Sequence, residues 1–190
     1  IEGYRFFDYY QPADQVGGDY YDYISLPDGR LAIVVADVVG HGVAAALLMA
    51  KLSAETRFCL FSETDPAAAV TRINERLTQT GLGRFVTLIL VLLDPRNDSA
   101  LIVNAGHMAP LHRSGKSLSE PGQEIAGLPL GIVDSLVYEQ QEIKIASGDL
   151  LVLYTDGINE TIDANGKFYG IDRMRKFVVE HPADPTQLGE

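Results

Sequence analysis

Two strongly apolar runs in this chain each end in an aspartate, and that combination narrows the folds open to it. The first is Leu31-Ala32-Ile33-Val34-Val35-Ala36-Asp37, and the second is Leu150-Leu151-Val152-Leu153-Tyr154-Thr155-Asp156-Gly157. Short runs this apolar, bounded by turn residues, read as strands buried in a core. A carboxylate at the end of such a strand is costly unless a cation or a full set of donors meets it. A third acid, Asp19, follows Gly17-Gly18 on an aromatic-rich strand just ahead of the first run. Three such acids on separate segments, with no basic cluster near them in sequence, point to a metal site.

The elements between them set the fold class. Residues 18–26 and 30–38 read as a hairpin closed by Pro27-Asp28-Gly29. Residues 4–10 read as a strand before it. An Ala- and Leu-rich helix over 43–60 follows, and Asp65-Pro66 caps a second one with Val70, Ile73 and Leu77 on one face. A long apolar strand over 85–93 ends at Asp94-Pro95. Further strands are expected near 99–104, 109–113, 136–145 and 149–155, then a short helix near 158–162 and a longer one near 171–180. Asp184-Pro185 reads as another helix start. Hairpins and runs of strands separated by paired helices argue for antiparallel sheets with helices outside, an α+β layout, and against βαβ repeats.

Composition bounds the function classes. The 190 residues suffice for one well-buried domain, and 46% hydrophobic with 22% charged residues is an ordinary globular balance. No run of about 18 apolar residues is present, so no membrane-spanning helix is expected. The start, Ile1-Glu2-Gly3-Tyr4-Arg5, lacks both an initiator Met and a secretory pattern, so a fragment of a longer cytoplasmic protein is expected. The single cysteine, Cys59, builds neither a disulfide nor a thiolate site and reads as a small buried apolar residue. With 15 Lys and Arg against 26 Asp and Glu, the net charge is −11. Nucleic acid and anionic membranes are therefore repelled, and an anionic substrate needs a local source of positive charge.

Two other patterns compete for attention. Gly40-His41-Gly42-Val43-Ala44-Ala45 fits the dinucleotide pattern G-x-G-x-x-A between a strand and a helix. The preceding strand is the second arm of a hairpin, however, and the element after the helix is another helix. That reading also leaves Asp37 without a role. Gly115-Lys116-Ser117 looks like the end of a phosphate-binding loop, but the pattern needs a glycine at position 110, which is Pro110.

Four blocks line up instead: Gly17-Gly18-Asp19-Tyr20-Tyr21-Asp22, Ala36-Asp37-Val38-Val39-Gly40-His41-Gly42, Asn104-Ala105-Gly106-His107 and Tyr154-Thr155-Asp156-Gly157. In this order and spacing they resemble the metal-dependent protein phosphatase family (PPM). The branch they are most similar to holds bacterial sporulation and stress-response regulators that dephosphorylate serine on anti-sigma-factor antagonists. The resemblance runs from Val16 to about Met174. Phe85-Val86-Thr87, Leu128-Pro129-Leu130-Gly131, Ser147-Gly148-Asp149 and Phe168-Tyr169-Gly170 support it.

The resemblance implies a single phosphatase domain over 1–190, built as a four-layer αββα sandwich of two antiparallel sheets flanked by helices. It implies two Mn²⁺ or Mg²⁺ ions at one edge. Asp37 would bridge both, the Val38 carbonyl and the region of Asp19 would hold one, and Asp156 would hold the other. Hard divalent cations prefer oxygen ligands and Mg²⁺ keeps several waters, so three carboxylates suit a hydrated two-metal site. Such ions activate water for direct attack on phosphorus. The family further implies a phosphorylated protein substrate of the anti-sigma-factor-antagonist type and an N-terminal sensor or receiver domain in the full-length protein. Oligomeric state is left open, a homodimer included.

Alternatives stand beside each residue. Asp37 has the option of capping the following helix, Asp156 of serving a turn, and Asp19 of opening an Asx turn. Asp22 lies three residues after Asp19 and so faces the other side of the sheet, where a structural role is at least as natural as ligation. His41 is placed to protonate a leaving serine oxygen or to pin the loop. His107 reads as structural, Asp149 as a hairpin-turn residue, and His112 and His181 as surface residues. Two departures from the family pattern matter. Position 39 is Val39 where a small polar residue is common, and the acidic pair that usually completes the second metal is not found before Glu190. One ion would then be held well and the other poorly. A catalytically silent phosphatase-fold scaffold is the main competing function, and a dinucleotide enzyme the lesser one.

Overall fold

The chain is described by a computed structural model covering residues 1–12, 17–40, 42–81, 83–181 and 184–186. Its first sheet grows from the expected hairpin. Strands β1 (Asp19–Ser25) and β2 (Leu31–Val38) pair antiparallel from Asp19↔Asp37 to Ser25↔Leu31. The turn closes with Leu26 N–H donating to the Arg30 carbonyl at 2.9 Å, and Gly29 takes φ 88°, where a side chain is disfavoured. Strand β3 (Val86–Asp94) pairs with β2, and β4 (Ser99–Ala105) with β3. A second set of short strands comprises β5 (Leu111–Ser114), β6 (Ser117–Ser119), β7 (Gln141–Lys144) and β8 (Leu150–Val152). Two antiparallel sheets result, in the orders β1-β2-β3-β4-β7 and β6-β5-β8.

Side-chain alternation sorts the apolar residues into three layers. On β2, Ala32, Val34, Ala36 and Val38 face helices α1 (Val43–Ser62) and α2 (Pro66–Thr78), and β3 adds Leu88, Leu90 and Leu92 to that layer. Leu31, Ile89, Val91, Leu93 and Ile102 face the other way and meet Leu151 of the second sheet and Leu153 just beyond its last strand. Leu150, Val152 and Tyr154 point outward again, onto Met174 and Val178 of α4 (Ile171–Glu180). Helices, sheet, sheet and helix thus form the four-layer αββα sandwich. β3 is apolar along nearly its whole length because both of its faces are buried.

Helix α2 begins as its sequence dictates: the Asp65 side chain accepts from Ala68 N–H at 2.7 Å and Pro66 opens the first turn. Asp184 accepts from Thr186 N–H at 3.0 Å, as a helix-start residue should. Cys59 is buried in the helix–sheet layer, which pushes its thiol up to about 11. Among the described residues no helix is long and apolar enough to cross a membrane.

Four expectations need correction. Residues 4–10 form no strand; they lie over β1 through aromatic contacts, Phe6 against Tyr23 and Tyr10 against Tyr21, without a backbone ladder. The strand expected over 136–145 is reduced to β7, because Tyr138 is instead anchored by its backbone N–H to Thr71 and by its hydroxyl to the Leu128 carbonyl. The short helix, α3 (Asp156–Asn159), starts at Asp156 itself, two residues earlier than expected. His112 is buried and bonded to Asp149 at 3.0 Å, where a surface position was expected.

Candidate metal and phosphate site

Asp19 and Asp37 stand directly opposite one another on β1 and β2. Both lie on the face that looks toward the second sheet, because their neighbours Tyr20, Ala36 and Val38 fill the helix-side layer. Their carboxyls act on one another electrostatically. Burial, then the nearby charges of Asp19 and Asp156, pushes the Asp37 carboxyl up to about 6. Asp19 is raised too, chiefly by burial, with a bond from the Thr155 hydroxyl at 3.3 Å working in the opposite direction. Two neighbouring acids of this kind titrate as a coupled pair, each charge making the other harder to form.

Backbone oxygens complete the arrangement. Gly18 has no side chain where one would be obstructed: a Cβ there would sit 2.8 Å from the Val38 carbonyl oxygen, 3.3 Å from that of Gly40 and 3.5 Å from Asp37 Oδ1. The space left by the missing methyl is therefore ringed by oxygens. The Gly18 carbonyl also accepts from Val38 N–H at 3.3 Å, which locks the two segments together.

Asp156 is at the first position of α3, with Thr155 as the N-cap, and its carboxyl is exposed. It acts on Asp19 and Asp37 through its field. It does not close a compact cluster with them: among the described residues no three His, Cys, Asp or Glu side chains form a metal-ligating group. His41 lies outside the described residues. Asp37 does not cap α1, whose N-cap is Gly42 without a side-chain bond.

Asp22 faces the helix side, where it accepts from the Tyr20 hydroxyl at 2.8 Å and pairs with Arg57 of α1 at 2.7 Å. That bears out a structural role. His107 is likewise structural, and it orders the site from behind. Its ring bonds Thr87 Oγ1 at 2.8 Å through Nδ1 and the Tyr154 carbonyl at 3.1 Å through Nε2. Its backbone N–H donates to Asn104 Oδ1 at 2.8 Å. Burial pulls the imidazole down to about 4, so it is neutral, with Nε2–H donating and Nδ1 accepting. Thr87 pairs with Asp37 across β2 and β3. One histidine thus connects the strand beside Asp37 with the segment that carries Thr155 and Asp156, and it explains the Asn104-Ala105-Gly106-His107 block. Asp149 is the turn residue expected, accepting from Ala146 N–H at 2.9 Å. Sequence reasoning passes over Thr155 as a partner of Asp19, because a contact spanning 136 positions leaves no trace in local spacing.

The donor set is all oxygen, two carboxylates and backbone carbonyls, which suits a hard divalent cation. The burial and neighbouring negative charge that raise both acids are what a cation placed between them would relieve. The residues present therefore fit such an ion beside Asp19, Asp37 and Val38.

The family profile described as "Stage II sporulation protein E (SpoIIE)" matches residues 27–189. A similar curated protein is phosphoserine phosphatase RsbU of Bacillus subtilis (strain 168), 28% identical over 177 residues; the match covers 93% of this chain and 52% of that protein. The chain thus spans about half the length of that relative. Among solved structures, the SiaA-PP2C domain of Pseudomonas aeruginosa superposes with a TM-score of 0.80 at 26% identity, covering 94% of this chain and 72% of that one. RsbX in complex with magnesium shares the fold, with a TM-score of 0.68 at 16% identity over 93% of this chain and 79% of that one.

Proposed function

From the premise that the chain belongs to the SpoIIE family, we propose that it is a metal-dependent protein serine/threonine phosphatase that removes phosphate from a phosphoserine on a regulatory protein. The observation that carries this reading is the facing pair Asp19 and Asp37 with its ring of carbonyl oxygens. Asp19, Asp37 and the Val38 carbonyl would hold Mn²⁺ or Mg²⁺, with Asp156 serving a second ion from the α3 side. A bound divalent cation supplies Lewis acidity that lowers the pKa of water and offsets phosphate charge.

The chain's own residues then divide the work. Asp37 orients the attacking water and accepts hydrogen bonds from it. Thr155 holds Asp19 in place, and His107 fixes the Asp156 segment against β3. Water oxygen attacks phosphorus in line, the phosphorus–oxygen bond to serine breaks, and the serine oxygen leaves with a proton. His41, between Gly40 and Gly42, is the proposed donor of that proton. The sequence resemblance makes an anti-sigma-factor antagonist the expected substrate, and a regulatory domain would act on the phosphatase from outside these residues. The apolar residues left exposed on α1, among them Val43, Leu47 and Phe61, offer such a domain a contact face.

The test is hydrolysis of p-nitrophenyl phosphate and of a phosphoserine peptide in Mn²⁺, in Mg²⁺ and in EDTA, with Asp37→Asn alongside. Turnover in metal that falls to the EDTA background in Asp37→Asn is the expected result. A folded protein without turnover in either metal would leave the silent scaffold as the better reading.

A further inference from the structure

Positive charge is scarce near these acids, and most of the chain's cations are already engaged. Arg57 is held by Asp22, Arg76 by Glu55 and Arg175 by Glu120. Arg84 is different. Among the described residues its side chain makes one hydrogen bond, from Nη1 to the Val39 carbonyl at 2.8 Å, and no carboxylate there lies within ion-pair distance of it. A guanidinium offers five N–H donors, so most of its capacity meets no acceptor among the described residues.

Its position is the informative part. Arg84 immediately precedes Phe85, whose carbonyl accepts from Val39 N–H at 3.1 Å, so backbone and side chain together moor it to the 39–40 loop. The guanidinium lies against Gly40, where a Cβ would collide with Nη1. The carbonyl of that same Gly40 borders the oxygen-ringed space beside Gly18 and Asp37. Gly40 therefore lies between the Arg84 guanidinium and the oxygen-ringed space that Asp37 borders. Gly40 has φ 94°, a conformation that favours glycine and keeps the approach open.

We propose that Arg84 binds the non-bridging phosphate oxygens of the substrate and so determines its preference for a phosphate monoester; this rests on the phosphatase reading above. A dianionic phosphate approaching a chain of net charge −11 meets repulsion everywhere except at a cation. The planar fork of an arginine matches two phosphate oxygens at once. The other role open to Arg84 is mechanical, as a tether on the 39–40 loop, and the variants must separate the two. Arg84→Gln keeps a donor for the Val39 carbonyl and loses the charge. Arg84→Lys keeps the charge.

The experiment measures inorganic phosphate binding by calorimetry in saturating Mg²⁺, and steady-state kinetics on a phosphoserine peptide, for the intact protein and both variants. Arg84→Gln is expected to weaken phosphate binding and raise KM about tenfold or more, the cost of a charged hydrogen bond. Its kcat should change much less, its melting temperature should hold, and Arg84→Lys should recover most of the loss. Unchanged phosphate affinity in Arg84→Gln overturns the proposal, as does an Arg84→Lys protein as impaired as Arg84→Gln. So does an intact protein that binds no phosphate. Turnover with unchanged phosphate affinity in Arg84→Gln discards Arg84 and keeps the phosphatase. Arg84-dependent phosphate binding without turnover keeps the anion site and discards the phosphatase.

Discussion

His107 and Asp37, linked through Thr87, respond to pH in opposite senses. His107 is neutral in the fold down to about pH 4, whereas an unfolded histidine takes its proton near 6.5. Its contribution to stability is therefore complete above about pH 6.5 and is lost as pH falls toward 4, by up to roughly 3 kcal/mol. Asp37, raised to about 6, holds its proton more tightly in the fold than in the unfolded chain. It favours the folded state in acid, and that advantage is lost as pH rises through 6. Replacing His107 by Gln removes the first effect and leaves the second. Urea unfolding of the metal-free protein at pH 7.5 and pH 5 should show the native chain losing more stability on acidification than His107→Gln does. Equal losses would mean that the imidazole is not held neutral. The choice of His107 over other histidines was legible only as a structural preference. Its two ring bonds join segments 20 and 47 residues away, and no sequence pattern carries that information.

At the scale of elements, the β1–β2 hairpin performs the assembly. Its turn residues set the register, and the register alone puts Asp19 opposite Asp37. Gly18 then allows the strand start to approach the Val38 carbonyl. Gly18→Ala should push that carbonyl away, because the clash at 2.8 Å is with backbone and not with a movable side chain. We expect turnover to drop to a small fraction and the Mg²⁺-induced rise in melting temperature to shrink, while the far-ultraviolet circular dichroism stays that of a folded chain. A Gly18→Ala protein with the full Mg²⁺ shift would remove Val38 from the proposed ligands. The hairpin, both long helices and α4 were legible from alternation, capping and helical periodicity. Residues 4–10 were not: they are rich in aromatic residues, as strands often are, but their rings pack on Tyr21 and Tyr23 while the backbone finds no partner strand. Composition reports propensity, and pairing needs a neighbour.

For the whole molecule, net charge −11 opposes encounter with a phosphorylated partner of like sign. Raising ionic strength from low to physiological should therefore increase kcat/KM on an acidic phosphoserine peptide a few-fold at constant free Mg²⁺, since salt screens exposed charges beyond about 10 Å. A fall in rate with salt would point to attraction by a local cationic surface outweighing the net charge. The same scale divides what was readable from what was not. The amino-acid sequence determined the α+β class, the strands that end in Asp37 and near Asp156, the caps of the second helix and the acidic balance, because each follows from local pattern or from sums over residues. Tertiary structure decided which acids meet. It brought Asp19 and Asp37 into one coupled facing pair, turned Asp22 away to Arg57, tied Thr155 to Asp19 and left Arg84 beside Gly40 without a carboxylate partner among the described residues. Those outcomes depend on register and on contacts between distant segments, where a carboxylate's energy is set by the dielectric and charges that folding gathers around it.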